Sequence, residues 1–551
     1  MIDQSHCPYN NNSTYNINTS NSHNINNSNS SKKKKKMKSN LINIFYREFI
    51  NCFKSTNSKR NSGNSSTEIN NYSTNGSNEI YYINQTNISF INQLPIEIIR
   101  IIFKLVIDHF VIELPSHTEF QSIVLTCKYW NTVGNSLLDT IVLDRHSSLP
   151  NINSFSSIKK YNSLQSLRIL GGESLMINNS TQHLDCIASL LRSPSYSQQQ
   201  PQQQQIASKI KYLNLFSNKI GDKGLEILTE ALVSNESLEF LGLSYCGLGS
   251  KSGQHLARIC KNNRHIKQLI LSYNSIGQEG CIEFSRALPF NNSLKMISLA
   301  NNEIGDDGAK EIATSLMDNK SITELDLRCN GISADGSNFI CQLLEFNKSI
   351  SSIDLFGNSL GSQGALEIGK ALATNTNIKS INLTSNFIQQ SGIKSITQAL
   401  SLPLCQIVSI DLSSNSFGYQ GAKEISKALV TNKSIQNIAF SLNKIESVGV
   451  KYISDALIVN QTIKSVVLAM NDICVDGANH IARVLKNNNT LLKLDLSSNR
   501  IGNSGAIILI ESIEDNNTIE SLILTENQIN QNNLKSHPSL LKLKNNKVLV
   551  F

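Results

Sequence analysis

Cysteine, histidine and glycine are the residue types in this chain that could bind metals, attack carbonyls or hold phosphate groups. The eleven cysteines show no paired spacing, and the histidines are isolated from one another, whereas metal sites need ligands at short, fixed spacings. The sequence contains no glycine-rich phosphate loop and no nucleophile motif. We therefore expect no catalytic residue, no metal site and no cofactor.

The odd cysteine count, with irregular spacing, is typical of reduced thiols in the cytosol or nucleus. No signal-peptide core and no apolar window long enough to cross a bilayer is present, so a membrane partner is not expected. Of the formal charge of +8, residues 1–80 carry ten basic and four acidic residues, or +6. The nearly neutral remainder lacks the electrostatic footprint of a specific nucleic-acid binder. These features predict a cytoplasmic and/or nuclear protein.

A sequence repeat, which would position any residues that bind a partner, extends from Leu164 to the C-terminus. It is marked by an asparagine, the anchor, at every interval of 28 residues except one of 29, between Asn386 and Asn415. The anchor positions are 218, 246, 274, 302, 330, 358, 386, 415, 443, 471, 499 and 527, and only Cys246 is not asparagine. Twelve copies in one register indicate a repeat architecture.

Each unit reads as strand, turn and helix. Alternation around the strand sends Ile297 and Leu299 into the core and turns Ser298 and Ala300 outward. After a glycine six residues past the anchor, such as Gly308, the apolar period becomes helical. No unit buries its apolar face alone, so the sequence predicts an α/β solenoid, with parallel strands inside a curve and helices outside.

The anchor asparagine has a predicted structural role. Its side-chain amide has the donors and the acceptor that a tight turn after the strand needs, and stacked turns would form a ladder. Asn358→Ala is expected to cost about 1–3 kcal/mol of stability by leaving buried backbone groups unpaired.

The copies ending at Asn330, Asn358 and Asn499, such as Leu-Asp-Leu-Ser-Ser-Asn, resemble leucine-rich repeats of the ribonuclease-inhibitor-like subfamily over roughly residues 206–530. The resemblance implies a right-handed horseshoe. A solenoid over residues 160–551 would include a degenerate first unit, a glutamine-rich loop at about 193–206 and a degenerate capping unit after Asn527.

Residues 1–88 are rich in asparagine and serine and are predicted to be a disordered, basic tail. The run Lys32–Lys36 with Lys38 is either a nuclear-import or anionic-lipid patch or a solvated charge run. Residues 41–53 are either a membrane-surface helix or a transient helix without a fixed partner.

Residues 89–145 contain two pieces, a Leu-Pro-Ile-Glu-Ile-Ile run from Leu94 and Cys127-Lys128-Tyr129-Trp130. Together they resemble an F-box, although the stretch from 108 to 120 is longer than in that motif. The resemblance implies a small helical domain that docks on the Skp adaptor of a cullin ubiquitin ligase. Its docking residues would be Leu94, Pro95, Ile98, Ile99 and Ile102. The alternative is a helical cap over the first repeat.

Twelve strands at the usual spacing make an inner surface on the order of 55–60 Å long, which suits a protein rather than a metabolite. Aromatic residues and arginine often carry interface energy. The predicted partner-binding residues on this concave face are Phe216, Tyr245, Tyr273, Asp326, Arg328, Asp354 and Phe356. An apolar stretch follows at Ala439, Leu442, Val467 and Met470.

Three functions remain open on the sequence. An F-box protein with repeats would bind a substrate on the concave face and deliver it for ubiquitination, without being an enzyme itself. A Ran-type small-GTPase activator has repeats near its N-terminus and an acidic C-terminal tail, whereas a basic tail comes first here and the end is rich in lysine. The third function is a repeat scaffold without a ubiquitin role.

Overall fold

The computed structural model of this chain describes residues 140–143, 164–169, 181–192, 209–534, 537–538, 540 and 548–550. All of them belong to one compact unit, Val106–Phe551. The predicted tail, the F-box-like motif with its docking residues, and the glutamine-rich loop lie outside the described residues. None of the helices among the described residues is long and apolar enough to cross a membrane.

The described strands form a single parallel sheet in which each strand pairs with its neighbours in sequence. They are β1 Thr140–Leu143, β2 Ser166–Ile169, β3 Tyr212–Asn214, β4 Phe240–Gly242, β5 Gln268–Ile270, β6 Met296–Ser298, β7 Glu324–Asp326, β8 Ser352–Asp354, β9 Ser380–Asn382, β10 Ser409–Asp411, β11 Asn437–Ala439, β12 Ser465–Val467, β13 Lys493–Asp495, β14 Ser521–Ile523 and β15 Val548–Val550. The first strand, β1, extends the sheet ahead of the predicted start of the solenoid.

A helix separates most pairs of consecutive strands. The helices are α1 Thr181–Leu191, α2 Gly221–Ser234, α3 Ser252–Asn262, α4 Gly277–Ser285, α5 Gly305–Leu316, α6 Ala334–Phe346, α7 Gly361–Thr374, α8 Gln389–Leu400, α9 Gly418–Thr431, α10 Glu446–Val459, α11 Val475–Asn487, α12 Gly502–Ser512 and α13 Gln531–Leu534, with a 3-10 turn at Leu288–Phe290. Neighbouring helices pack against one another along the stack. This order confirms the predicted α/β leucine-rich-repeat solenoid.

The core lies between the sheet and the helices. In the unit around β6, Ile297 and Leu299 are fully buried, and α5 buries Ile312 and Leu316 against them. The same positions recur from unit to unit, so one continuous apolar core runs along the described repeats. Stacking thus buries the face that a single unit would expose to water.

The anchor asparagines form the predicted ladder. Asn302 Nδ2 donates to the carbonyl of Leu299 at 3.1 Å and to the carbonyl of Leu271, one unit earlier, at 2.9 Å. The backbone N–H of Asn302 in turn donates to Oδ1 of the next anchor, Asn330, at 2.9 Å. Each anchor therefore ties its own turn to the preceding unit, as the sequence predicted.

Cys246, which occupies an anchor position, makes some of the hydrogen bonds that an anchor asparagine would make. Its Sγ donates to the carbonyl of Leu215 at 3.1 Å, where an anchor amide would donate, and burial raises the pKa of its thiol to about 12. The sulfur is a weaker acceptor than an amide oxygen, and the Asn218 N–H, which approaches it, also donates to the carbonyl of Leu215 at 3.2 Å. The protonated cysteine therefore replaces the donor of the asparagine amide but only weakly its acceptor.

A second asparagine ladder, which the sequence reasoning missed, runs along the ends of the helices. Asn263 Nδ2 donates to the carbonyl of Leu232 at 2.7 Å, and its Oδ1 accepts from the N–H of Ile266 at 2.9 Å. The ladder consists of Asn235, Asn263, Asn291, Asn319, Asn347, Asn375, Asn432, Asn460, Asn488 and Asn516. It skips the 29-residue unit, where Pro403 lies in the connection between α8 and β10.

Candidate protein-interaction surface

The sheet has one face against the helices and one open face. On the open face lie the residues six, four and two positions before each anchor, because side chains alternate along a strand. The residue directly before the anchor, which often has a positive φ, lies at the exit of the strand. On β3 and β4 these positions carry Tyr212, Phe216 and Phe240 beside smaller side chains, and serine dominates the sixth position before the anchor from β8 onward.

One aromatic stack lies at the start of the strands. The rings of Tyr212 and Phe240 are parallel, with centroids 4.0 Å apart and an interplanar angle of 7°. The guanidinium carbon of Arg168, on β2, lies 4.7 Å from the Tyr212 ring centroid. The sequence reasoning overlooked these three residues because it read the outward positions only from four residues before the anchor. Extending the same alternation by one step finds both rings.

A second aromatic group lies at the exit of the strands and contains three predicted residues. Tyr245 and Tyr273 stack with centroids 4.3 Å apart, and Phe216 meets Tyr245 edge-on at 5.4 Å. The three are 40, 44 and 46% exposed in chain order. Burial, followed by the neighbouring Tyr273, raises the pKa of Tyr245. These rings are held rigidly by one another, yet they offer a large apolar area to a partner.

Small residues separate the two aromatic groups. The side chains of Ser272 and Ser298 hydrogen-bond at 2.6 Å, and both residues are buried although they lie on the open face. At Gly242 a Cβ would lie 2.8 Å from Asn214 Oδ1 and 3.0 Å from the Phe240 ring. We call this strip the trough; its floor consists of Asn214, Gly242, Ser244, Ile270, Ser272, Ser298 and Ala300. Its walls are the two aromatic groups, and at the starts of β5 and β6 the wall continues with Gln268 and Met296.

Asp326 and Arg328, on the other side of the trough, form a bidentate ion pair. Arg328 Nε donates to Asp326 Oδ1, and its terminal nitrogen donates to Oδ2, both at 2.8 Å. Ser298 Oγ also donates to Asp326 Oδ2 at 2.6 Å. Asp326 is only 7% exposed. It therefore positions Arg328 rather than meeting a partner itself.

Asp354 ends the next strand, β8, and Phe356 follows two residues later; both are half-buried. The Phe356 N–H donates to Asp354 Oδ1 at 3.0 Å, and Arg328 Nε lies 3.5 Å from Asp354 Oδ2. Burial raises the pKa of Asp354 to about 6, against the opposing effect of the Phe356 hydrogen bond. Asp411 and Asp495 accept the equivalent N–H two residues later. These acids thus cap the ends of strands, a role that residue type alone did not reveal.

The predicted apolar stretch lies further along the same face. Leu442 and Met470 are exposed at the exits of β11 and β12, and Ala439 and Val467 lie half-buried in register on those strands. The structure therefore brings the stretch together, but several strands away from the aromatic groups.

Reactive groups are sparse on the described part of the chain. The described residues include no group of three or more histidine, cysteine or acidic side chains that could hold a metal ion. Burial raises the pKa of the Cys260, Cys281 and Cys341 thiols to about 12. Those three thiols are protonated, buried packing residues.

Comparison with known proteins gives two findings. A family model described as Leucine Rich repeat matches residues 207–228, 262–285, 290–313, 318–337 and 487–509, so leucine-rich repeats are present in this chain. Among solved structures the chain is similar to leiomodin-1 actin-binding site 2, at 28% identity over 26% of this chain and 85% of that chain, with a TM-score of 0.24. The comparison with curated proteins found no match.

Proposed function

We propose that this chain is the substrate receptor of a Skp–cullin–F-box ubiquitin ligase. In this role the open face binds a protein substrate, and residues 89–145 bind the Skp adaptor. Leucine-rich repeats are typically non-catalytic modules that bind proteins, so the chain itself would carry out no reaction. The observation that carries the substrate-binding half is the exposed aromatic group on the rigid sheet.

The aromatic group has the properties of an interface hot spot. Phe216, Tyr245 and Tyr273 are exposed but fixed by ring–ring contacts, so a partner would order few side chains on this surface when it binds. Aromatic rings and arginine are the residues that most often dominate interface energy. Arg328, oriented by Asp326, lies on the same face two strands further on.

The adaptor-binding half rests on the sequence motif. Leu94, Pro95, Ile98, Ile99 and Ile102 match the start of the F-box pattern, and Cys127, Lys128 and Trp130 match its end. Apolar anchor residues of this kind suit a helix-in-groove contact with another protein. The motif precedes the repeats, which agrees with the F-box-then-repeats architecture that the resemblance implies.

A double dissociation tests the proposal with the full-length chain. Leu94→Ala with Pro95→Ala should abolish capture of the purified Skp adaptor and leave substrate binding intact. Tyr245→Ala with Tyr273→Ala should do the reverse. Adaptor binding that persists in the first variant would rule out the F-box assignment.

The remaining alternatives give different results in the same preparation. A wild-type chain that captures its partner but never the adaptor is a scaffold without a ubiquitin role. Acceleration of GTP hydrolysis by a small GTPase would instead favour the Ran-type activator.

A further inference from the structure

We infer that the trough on β3 to β6 binds an extended acidic segment of the partner protein. This inference rests on the proposed function, because it assigns a chemistry to the partner of the open face. It depends on three features of the described residues, which are the shape of the trough, the charge of its rim and the arrangement of the rings.

The shape of the trough suits a single extended chain. Ser272, Ser298 and Ala300 are buried on its floor, whereas Tyr245 and Tyr273 stand exposed on its wall. From β3 to β6 the floor crosses three strand spacings, or about 15 Å, which is the length of about four or five extended residues.

The floor stays low at Gly242, which has no side chain. A Cβ there would lie 2.8 Å from Asn214 Oδ1 and 3.0 Å from the Phe240 ring, so these two neighbours already fill the space that a larger residue would need. Apolar side chains of the bound segment would instead pack on the exposed rings of Tyr245 and Tyr273.

The rim of the trough is basic. The residues seven positions before the anchors of β3 to β6 are Lys211, Glu239, Lys267 and Lys295. Lys267 Nζ is paired with Glu239 at 2.7 Å, but Lys211 and Lys295 are exposed and form no ion pair with a described residue. With Arg168 at the β2 end, the rim therefore carries four cations against one acid, Glu239, whose pKa both Lys267 and Lys211 lower.

The charge changes sign further along the sheet. The equivalent open-face and rim positions of β7 to β10 hold Glu324, Asp326, Asp354 and Asp411 against Arg328 and Lys379. An acidic segment would therefore be attracted to the trough and repelled by the neighbouring strands, which fixes its location by charge.

The arrangement of the rings argues against single-stranded nucleic acid, the other ligand that combines aromatic rings with cations. Tyr212 is covered on one face by Phe240 and on the other by Arg168. Tyr245 is covered by Tyr273 and by the edge of Phe216. Successive bases need successive open ring faces, and these stacks offer mainly ring edges.

The test measures fluorescence anisotropy with the full-length chain and short labelled peptides that alternate leucine with glutamate, glutamine or lysine. The glutamate peptide should bind, and more weakly as salt is raised. Lys211→Glu with Lys295→Glu should weaken that binding by about tenfold or more and should create binding of the lysine peptide. Lys464→Glu, at the same repeat position before β12, is the matched control and should change neither.

Three results would overturn the inference. They are absence of binding by the glutamate peptide, equal weakening by Lys464→Glu, and displacement of the peptide by oligothymidylate at the same site. The proposed function would survive each of them if the natural partner still required Tyr245 and Tyr273. Loss of that requirement, with peptide binding retained, would refute the proposed function instead.

Discussion

Removing a single anchor amide tests the ladder that holds the repeats together. Asn358 is buried, and its Nδ2 donates to the carbonyls of Leu327 at 3.1 Å and Leu355 at 2.9 Å. Its Oδ1 accepts the N–H groups of Asn330 at 3.0 Å and Ile332 at 3.1 Å. In Asn358→Ala the Leu355 carbonyl keeps a hydrogen bond from the Asn386 amide. The Leu327 carbonyl and the N–H groups of Asn330 and Ile332 lose their hydrogen bonds to the Asn358 side chain.

Three buried backbone groups without a partner should cost about 3 kcal/mol after relaxation, since each alone costs on the order of 1–3 kcal/mol. This value is at the top of the range expected from the sequence. Because each repeat contacts only its neighbours, the loss should be concentrated around the altered unit.

Urea unfolding followed by far-UV circular dichroism measures the total loss, and amide hydrogen exchange measures its location. We expect a lower unfolding midpoint and faster exchange at Asn330 and Ile332. The control is Asn292→Ala, because Asn292 is exposed. An unchanged midpoint with unchanged protection of those two amides would refute the ladder.

The structure predicts whether each of three further substitutions raises or lowers the stability of the fold. Cys246→Asn supplies a stronger acceptor for the Asn218 N–H than the thiol and should raise the free energy of unfolding by about 1 kcal/mol, as read from urea unfolding. A lower free energy of unfolding would contradict the role assigned to Cys246. Burial raises the pKa of Asp354 to about 6, so the free energy of unfolding should fall as pH rises from about 4 to 6. Asp354→Asn removes the ionisable group and should therefore stabilise the fold by up to about 3 kcal/mol at pH 8 but little at pH 4. Equal effects at both pH values would show that ionisation is not the cause. Gly308→Ala places a Cβ 2.8 Å from Ile304 Cβ and should lower the free energy of unfolding by about 1–3 kcal/mol, with a lower melting temperature. An unchanged melting temperature would show that the start of the helix accommodates the added methyl group.

Much of the solenoid could be predicted because its signals are periodic. The spacing of the anchors located the strands, and the change of apolar period located helices such as α5. The strand at Thr140–Leu143 was missed because it precedes any repeat signature, and its pairing with β2 is a tertiary contact. The second ladder was missed although Asn263 and its counterparts keep the same period, because asparagine is abundant throughout the sequence.

The candidate site was less predictable because residue type does not reveal partners within the fold. The exposed rings Phe216, Tyr245 and Tyr273 were found from strand alternation. Asp326 fits the same pattern, yet its carboxylate is buried and bonded to Arg328 and Ser298. Exposure on a sheet depends on the size of neighbours on adjacent strands, which a position within one repeat does not encode.

Site-specific photocrosslinking of the full-length chain tests the central claim that a protein partner binds the aromatic end of the open face. A benzophenone amino acid replaces Tyr273 in one preparation and Phe346 in another. Phe346 is 59% exposed at the end of α6 and serves as the control. We predict that one partner crosslinks at position 273 and not at position 346. Crosslinking of that partner at position 346 alone would contradict the proposed binding surface.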